Sequence, residues 1–203
     1  MITTICFDLG EVILTNDWTF YCPQKDKEFQ DFYGLTEFNY ATNPYTQDLF
    51  TGKISERNFW IKALALYHAK TTDPSKAIEL ARTYQAEKPG MFRLLRVLKE
   101  KGYVLDALTN THKELLEWKE KKFHLNEYFS HIVSSCVVGV SKPDRQFFEY
   151  ARKTCNFSFQ ECVFIDDNAS NVTAAVDIGM KGIIFTTEKT LIKTFKTLDI
   201  IVE

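Results

Sequence analysis

Five short apolar runs, each closing on or leading into polar residues, alternate with helical patterns, and this alternation constrains the fold more than any other feature. Ile2 to Phe7 ends in Asp8. Tyr103-Val104-Leu105-Asp106-Ala107-Leu108 ends in Thr109-Asn110. Ile132-Val133 begins a third run, Cys162-Val163-Phe164-Ile165 ends in Asp166-Asp167, and Gly182-Ile183-Ile184-Phe185 is the fifth. The helical candidates between them are Met91 to Lys101, Lys113 to Phe123, Pro143 to Cys155 and Ala169 to Ile178. Apolar runs this short, separated by helices of this length, predict strands buried on both faces. The order predicts an α/β fold of the Rossmann-like kind, a parallel sheet with right-handed crossovers flanked by helices.

One region breaks the rhythm. Between Leu14 and about Pro89 no clear strand is expected. Phe59, Trp60, Ala63, Leu64 and Tyr67 make one apolar helical face, with Ser55 as its N-cap. Asp73-Pro74 reads as an N-cap followed by Pro at the first helical position, with Ala77, Ile78, Ala81 and Tyr84 as the buried stripe. Lys25 to Tyr33 is a shorter helical candidate. The chain thus divides into a core of residues 1–14 and 89–203 and an inserted α-helical unit of residues 15–88. Such an insert is either a lid over the end of the sheet or an extra layer packed elsewhere.

Length and composition agree with one soluble domain carrying a modest insert. The chain has 203 residues, 45% hydrophobic and 26% charged. A net charge of −2 gives no electrostatic case for nucleic acid or an anionic membrane. No apolar run is long enough to span a bilayer, and the first residues lack the pattern of a signal peptide, so the expected compartment is the cytoplasm. Cys6, Cys22, Cys136, Cys155 and Cys162 are scattered and odd in number. Their spacing reads as free thiols in a reducing compartment, with neither a disulfide nor a zinc-site pattern.

In an open parallel sheet, ligands bind outside the carboxyl ends of the strands. Asp8, Thr109-Asn110 and Asp166-Asp167 stand at those ends, and Lys142 follows the third strand by a loop. Carboxylates hold a hard divalent cation such as Mg²⁺ through oxygen. A lysine and a hydroxyl neutralise and orient an anionic group such as phosphate. One carboxylate can then attack phosphorus and form an aspartyl-phosphate that water hydrolyses. Each residue taken alone has an ordinary structural use, as a cap or a solvated turn. The adjacent acids Asp166-Asp167 are the sharpest signal, because they repel each other after a buried strand unless a cation compensates.

At these residues the chain resembles the haloacid dehalogenase-like hydrolase superfamily over nearly its whole length. Phe7-Asp8-Leu9-Gly10-Glu11-Val12-Ile13 resembles the first motif, Leu108-Thr109-Asn110 the second, and Gly139-Val140-Ser141-Lys142-Pro143-Asp144 the third. Val163-Phe164-Ile165-Asp166-Asp167-Asn168, followed by Asn171, Ala174, Ala175 and Gly179, resembles the fourth. The insert is similar to the C1 type of helical cap. Phe7-Asp8-Leu9-Gly10 with Val12, Gly52-Lys53-Ile54-Ser55 and the Lys/Thr-rich tail after Phe185 are similar to the bacterial branch acting on glucose 1-phosphate. The resemblance implies Asp8 as nucleophile, Asp8 with the Gly10 carbonyl at Mg²⁺, and Asp167 as the main metal-binding carboxylate. Asp166 would assist at the metal or through Lys142. Thr109 and the Asn110 amide would bind phosphoryl oxygens, and Lys142 would stabilise charge on the phosphoryl group and on Asp8. The implied partner is a small phosphorylated metabolite, and the implied assembly a monomer or weak homodimer.

The chain departs from the superfamily's common phosphatase pattern at Gly10, where most members carry a second Asp that protonates the leaving oxygen and later activates water. Glu11, Asp17 or a metal-bound water are the substitutes to consider. An anomeric phosphate suits a weak acid, since its leaving group is less basic than a plain alkoxide. Other residues weigh less. His112 either approaches the substrate from the start of a helix or, as is commoner, faces solvent, and His68, His124 and His131 lack metal-ligand spacing. Trp18, Phe20 and Tyr21 suit a sugar pocket or a packed hinge. Lys119-Glu120-Lys121-Lys122 reads as a solvated helix face. Two other readings compete with a Mg²⁺-dependent phosphatase. One is a metal-independent haloacid dehalogenase, against which the paired acids argue. The other is a non-catalytic phospho-ligand-binding protein, motivated by Gly10.

Overall fold

A computed structural model describes residues 1–16 and 27–202. In chain order its elements are β1 (Thr4–Phe7), β2 (Leu14–Asn16), α1 (Lys27–Tyr33), α2 (Thr46–Phe50), α3 (Glu56–Leu66), α4 (Ser75–Thr83), β3 (Gln85–Glu87), α5 (Pro89–Glu100) and β4 (Val104–Thr109). There follow α6 (Lys113–Phe123), β5 (His131–Ser134), α7 (Ser135–Val138), α8 (Arg145–Cys155), β6 (Cys162–Asp166), α9 (Ala169–Asp177), β7 (Lys181–Ile184) and α10 (Glu188–Thr197). Asp17, Trp18, Phe20, Tyr21, Cys22 and the start of the helix expected from Lys25 lie outside the described residues.

Five strands form one parallel sheet in the order β5-β4-β1-β6-β7. The central strand β1 is buried along its length, as its continuous apolar run requires. One sheet face packs Ile5, Phe7 and Leu105 against Met91, Leu95 and Leu98 of α5 and Leu191 and Phe195 of α10. The other packs Cys6, Leu108 and Phe164 against Phe147, Phe148 and Ala151 of α8. The five strands and four helices expected from the alternation are present, with boundaries moved by one or two residues. The helix expected from Pro143 starts at Arg145, because Asp144 caps it through Gln146 N–H at 2.8 Å.

The region between β1 and α5 corrects the expectation of no strand. β2 and β3 pair antiparallel, Leu14 opposite Glu87 and Asn16 opposite Gln85. Three residues are too few to show a period, and the pair ties together the two chain segments that enter and leave the insert. Helices α1 to α4 have their own core, in which Phe29, Phe38, Tyr40, Phe59 and Trp60 surround one another, Phe38 and Trp60 stacked at 5.6 Å. This core shares no residue with those of the sheet. Ser55 caps α3 through Asn58 N–H at 3.3 Å. α4 begins one residue later than expected: Asp73 accepts from Ser75 N–H at 3.1 Å and from its hydroxyl, while Pro74 precedes the helix. The short helices α2 and α7 and the C-terminal α10 had no counterpart among the expected elements.

Candidate active site

The carboxyl ends of β1, β4 and β6 converge, and the loop before α8 closes over them. Asp8 follows β1, its N–H held by the Ile165 carbonyl at 2.8 Å. Thr109 ends β4 and Asp166 ends β6. Asp8, Gly10, Thr109, Asn110, Lys142, Asp166 and Asp167 all line one pocket, together with Glu11, Phe50, Thr111, Lys119, Asn168 and Asn171. Every site residue expected from the sequence is thus in one place.

Lys142 is the centre of this pocket, 4% exposed. Its ammonium donates to Asp8 Oδ1 at 2.7 Å, Asp166 Oδ2 at 2.7 Å and the Leu108 carbonyl at 2.5 Å. Burial alone would lower its pKa, but the facing carboxylates of Asp8 and Asp166 more than offset this and hold it above the ordinary lysine value. Asn110 fixes the loop that carries it: its side-chain amide donates to the Lys142 carbonyl and accepts from the Lys142 N–H, both at 2.9 Å. Asn110 therefore has its side chain engaged in positioning Lys142.

The two motif-four acids differ. Asp166 is fully engaged, accepting from Lys142, from Asn168 N–H at 2.8 Å and from Asn171 Nδ2 at 3.0 Å. Asp167 is the exposed member. Burial and then Asp166 push its pKa up. Asp8 is pushed up to about 6, by burial first, with Lys142 opposing and Asp166 adding to the rise. Oxygens of Asp8, Asp166 and Asp167 lie within 4.8 Å of one another. Three carboxylates, all oxygen donors, fit a hard dication such as Mg²⁺. Gly10 lines the same pocket, and its carbonyl accepts Val12 N–H at 2.7 Å.

Two sequence readings are corrected here. Lys119 does not belong to a solvated face: it is 2% exposed and lines the pocket, while Lys121 and Lys122 are exposed. Burial brings its pKa down to about 8, against the pull of Asp8 and Glu11. The signal was available, since Leu115, Leu116, Lys119 and Phe123 form the buried stripe of α6. His112 is buried rather than solvent-facing. Its Nε2 lies 3.7 Å from Glu56 Oε1 of α3, and its Nδ1 3.4 Å from Glu114 Oε2. Glu11, a candidate proton donor, stands in the pocket wall with a left-handed φ of 54° and pairs with Lys88 at 3.3 Å.

Comparison with known proteins decides the family. The model of the haloacid dehalogenase-like hydrolases matches residues 2–179. The chain belongs to this family. Among curated relatives of this chain, flavin mononucleotide hydrolase 1 of Arabidopsis thaliana is 32% identical over 122 residues, 60% of this chain and 49% of that protein. Glyceraldehyde 3-phosphate phosphatase of Pyrococcus furiosus is 30% identical over 105 residues, 51% and 43% of the two chains. The matched part of the chain thus spans about half the length of these relatives or less. In fold, the chain is similar to a HAD family enzyme of Bacteroides thetaiotaomicron solved as a magnesium complex (TM-score 0.75, 19% identity, 91% and 93% covered). It is also similar to a HAD-like family hydrolase of Porphyromonas gingivalis (TM-score 0.73, 21% identity, 98% of both chains). Among the described residues, no helix is long and apolar enough to cross a membrane.

Proposed function

We propose that this chain is a Mg²⁺-dependent phosphatase hydrolysing a small phosphorylated metabolite, a sugar phosphate such as glucose 1-phosphate, through an aspartyl-phosphate on Asp8. The observation that carries this reading is the buried Lys142 ammonium, 2.7 Å from both Asp8 and Asp166, with the exposed Asp167 beside them. Residues 15–88 act as the cap, with Phe50 of α2 contributing to the pocket wall.

Asp8 is the nucleophile. Its carboxylate oxygen bonds to phosphorus in line with the departing ester oxygen, whose P–O bond breaks, and water then cleaves the acyl phosphate to release inorganic phosphate. Lys142 screens the negative charge that Asp8 and the phosphoryl group bring together. The Thr109 hydroxyl and the Asn110 backbone N–H hold phosphoryl oxygens. Asp8 and Asp167, with the Gly10 carbonyl, hold Mg²⁺, and Asp166 serves mainly to fix Lys142. The ion, when bound, supplies positive charge to the phosphoryl group. Glu11 and Lys119, titratable groups in the pocket wall, are candidates for the role that Gly10 leaves open. The protein works in the cytoplasm as a monomer or weak homodimer, without nucleic acid or membrane.

The test is phosphate release from a panel of sugar, triose and nucleotide phosphates, with and without Mg²⁺, using the wild type and Asp8→Asn. Metal-dependent release that the variant loses is the expected result. No release from any ester, together with Mg²⁺-dependent phosphate binding, would replace the phosphatase by the phospho-ligand-binding alternative. Halide release from a 2-haloacid without metal would replace it by a dehalogenase.

A further inference from the structure

A second set of metal-type donors lies away from the strand ends, three residues back along β4 from Thr109. In the sheet register, Asp106 stands between His131 of β5 and Cys6 of β1. Registered residues of parallel strands share a face. That face is the apolar layer under α8, formed by Cys6, Phe147, Phe148, Cys155, Cys162 and Phe164. A carboxylate is out of place there, and Asp106 is 0% exposed. Its Oδ1 accepts from His131 N–H at 3.0 Å and faces His131 Nδ1 at 2.9 Å. Its Oδ2 is buried and takes no nitrogen or oxygen partner among the described residues, while the thiol of Cys155 on α8 hydrogen-bonds this carboxylate. Burying a carboxylate in an apolar layer is costly when a weak thiol donor is all that faces one of its oxygens.

The last turn of α8 brings Cys155 to this carboxylate, so that one donor atom each from Asp106, His131 and Cys155 lies within 4.8 Å of the others. We propose that Asp106, His131 and Cys155 form a binding site for a divalent transition metal of the zinc class, separate from the carboxylate site at the strand ends. The donor chemistry separates the two. One oxygen, one imidazole nitrogen and one thiolate suit Zn²⁺ or Co²⁺, whereas the Asp8, Asp166 and Asp167 group offers oxygen alone and suits Mg²⁺. Three protein ligands leave a fourth position, and the His131 side chain, 43% exposed, gives the ion a route from solvent. On binding, the Cys155 thiol proton is released, and His131 ligates through Nδ1 as the neutral imidazole with its proton on Nε2. Cys–Cys and Cys–His spacing along the chain does not reveal this site, because its ligands come from a strand, its neighbour and a helix 24 residues further on.

The test is cobalt titration of the full chain in excess Mg²⁺, which occupies the oxygen site. One equivalent of Co²⁺ should bind with a near-ultraviolet thiolate-to-cobalt band and the strong visible bands of four-coordination, and one equivalent of Zn²⁺ should displace it. Cys155→Ser should remove the charge-transfer band. His131→Ala, at a half-exposed side chain, should weaken binding at least tenfold with the fold intact by circular dichroism. Cys136→Ser and Asp167→Asn should leave the band unchanged. No thiolate band in the wild type, or a band that survives Cys155→Ser, would overturn the assignment.

Discussion

Two buried lysines face the same pocket, and their surroundings give them opposite consequences. Lys142 has two carboxylates and a carbonyl within 2.7 Å. Removing it strands Asp8 and Asp166, so Lys142→Met should lower stability by about 3 kcal/mol or more in metal-free buffer, measured by urea unfolding, and abolish turnover. Lys119 is buried without comparable partners among the described residues, and its pKa falls to about 8. The native chain loses that proton near pH 8, while an unfolded chain keeps it to the ordinary lysine range. The unfolded state therefore holds more protons between these values, and stability rises with pH across that window. Lys119→Met should remove this slope and raise stability at neutral pH by on the order of 1–3 kcal/mol, while raising KM for phosphate esters. A variant less stable than wild type at pH 7 would contradict the cost assigned to the buried charge. Asp8 runs the other way. Held up to about 6 by burial, it keeps its proton in the native chain beyond the ordinary carboxylate range, so it contributes falling stability as pH rises from about 4 to 6. At low Mg²⁺, kcat/KM should therefore drop below about pH 6, and added Mg²⁺ should move the drop to lower pH, since the ion favours the ionised carboxylate. A midpoint indifferent to Mg²⁺ would place the limb on another group.

At the scale of elements, the strands of the sheet were legible because continuous apolar runs ending in acids have few other uses. The seam between the insert and the sheet was not, because it is built from single residues with no period. Glu56 at the start of α3 is buried, paired with Arg82 of α4 at 2.6 and 2.8 Å, and its N–H donates to Glu114 of α6 at 3.2 Å. His112 completes that contact, which is why a histidine following Thr109-Asn110-Thr111 is buried. The second seam contact is Gly52, just after α2. Its φ is +73°, and a Cβ there would stand 2.6 Å from the Cys136 carbonyl of α7. Both the backbone conformation and the space require glycine. Gly52→Ala should push α2, and with it Phe50, away from the pocket. The expected outcome is a loss of about 1–3 kcal/mol in stability and a rise in KM larger than the fall in kcat. Unchanged KM would mean that the position of Phe50 does not matter to the substrate.

For the molecule as a whole, the site gathers residues 8, 109, 142 and 166 from widely separated parts of the chain onto strand ends that only a complete sheet brings together. That convergence was legible from the order of the runs, since a parallel sheet puts all its carboxyl ends at one side. The separateness of the two cores was legible only as a break in rhythm; the aromatic cluster around Trp60 is a property of packing. These two facts lead to different responses to ligand. On the proposed function, phosphate with Mg²⁺ would engage groups on β1, β4, β6 and the Lys142 loop, so it should stabilise the sheet against global unfolding. At a phosphate concentration of 100 times Kd the gain is about 2.7 kcal/mol, or roughly 5–10 °C in Tm for a chain of this size. The insert touches the pocket through Phe50 and has its own core, so amide exchange in α3 and α4 should slow far less than in β1 and β4. Asp167→Asn should remove the Mg²⁺-dependent part of the Tm gain. Equal protection of both parts would mean that the insert and the sheet open as one unit, with the seam at Glu56 and Gly52 as strong as either core.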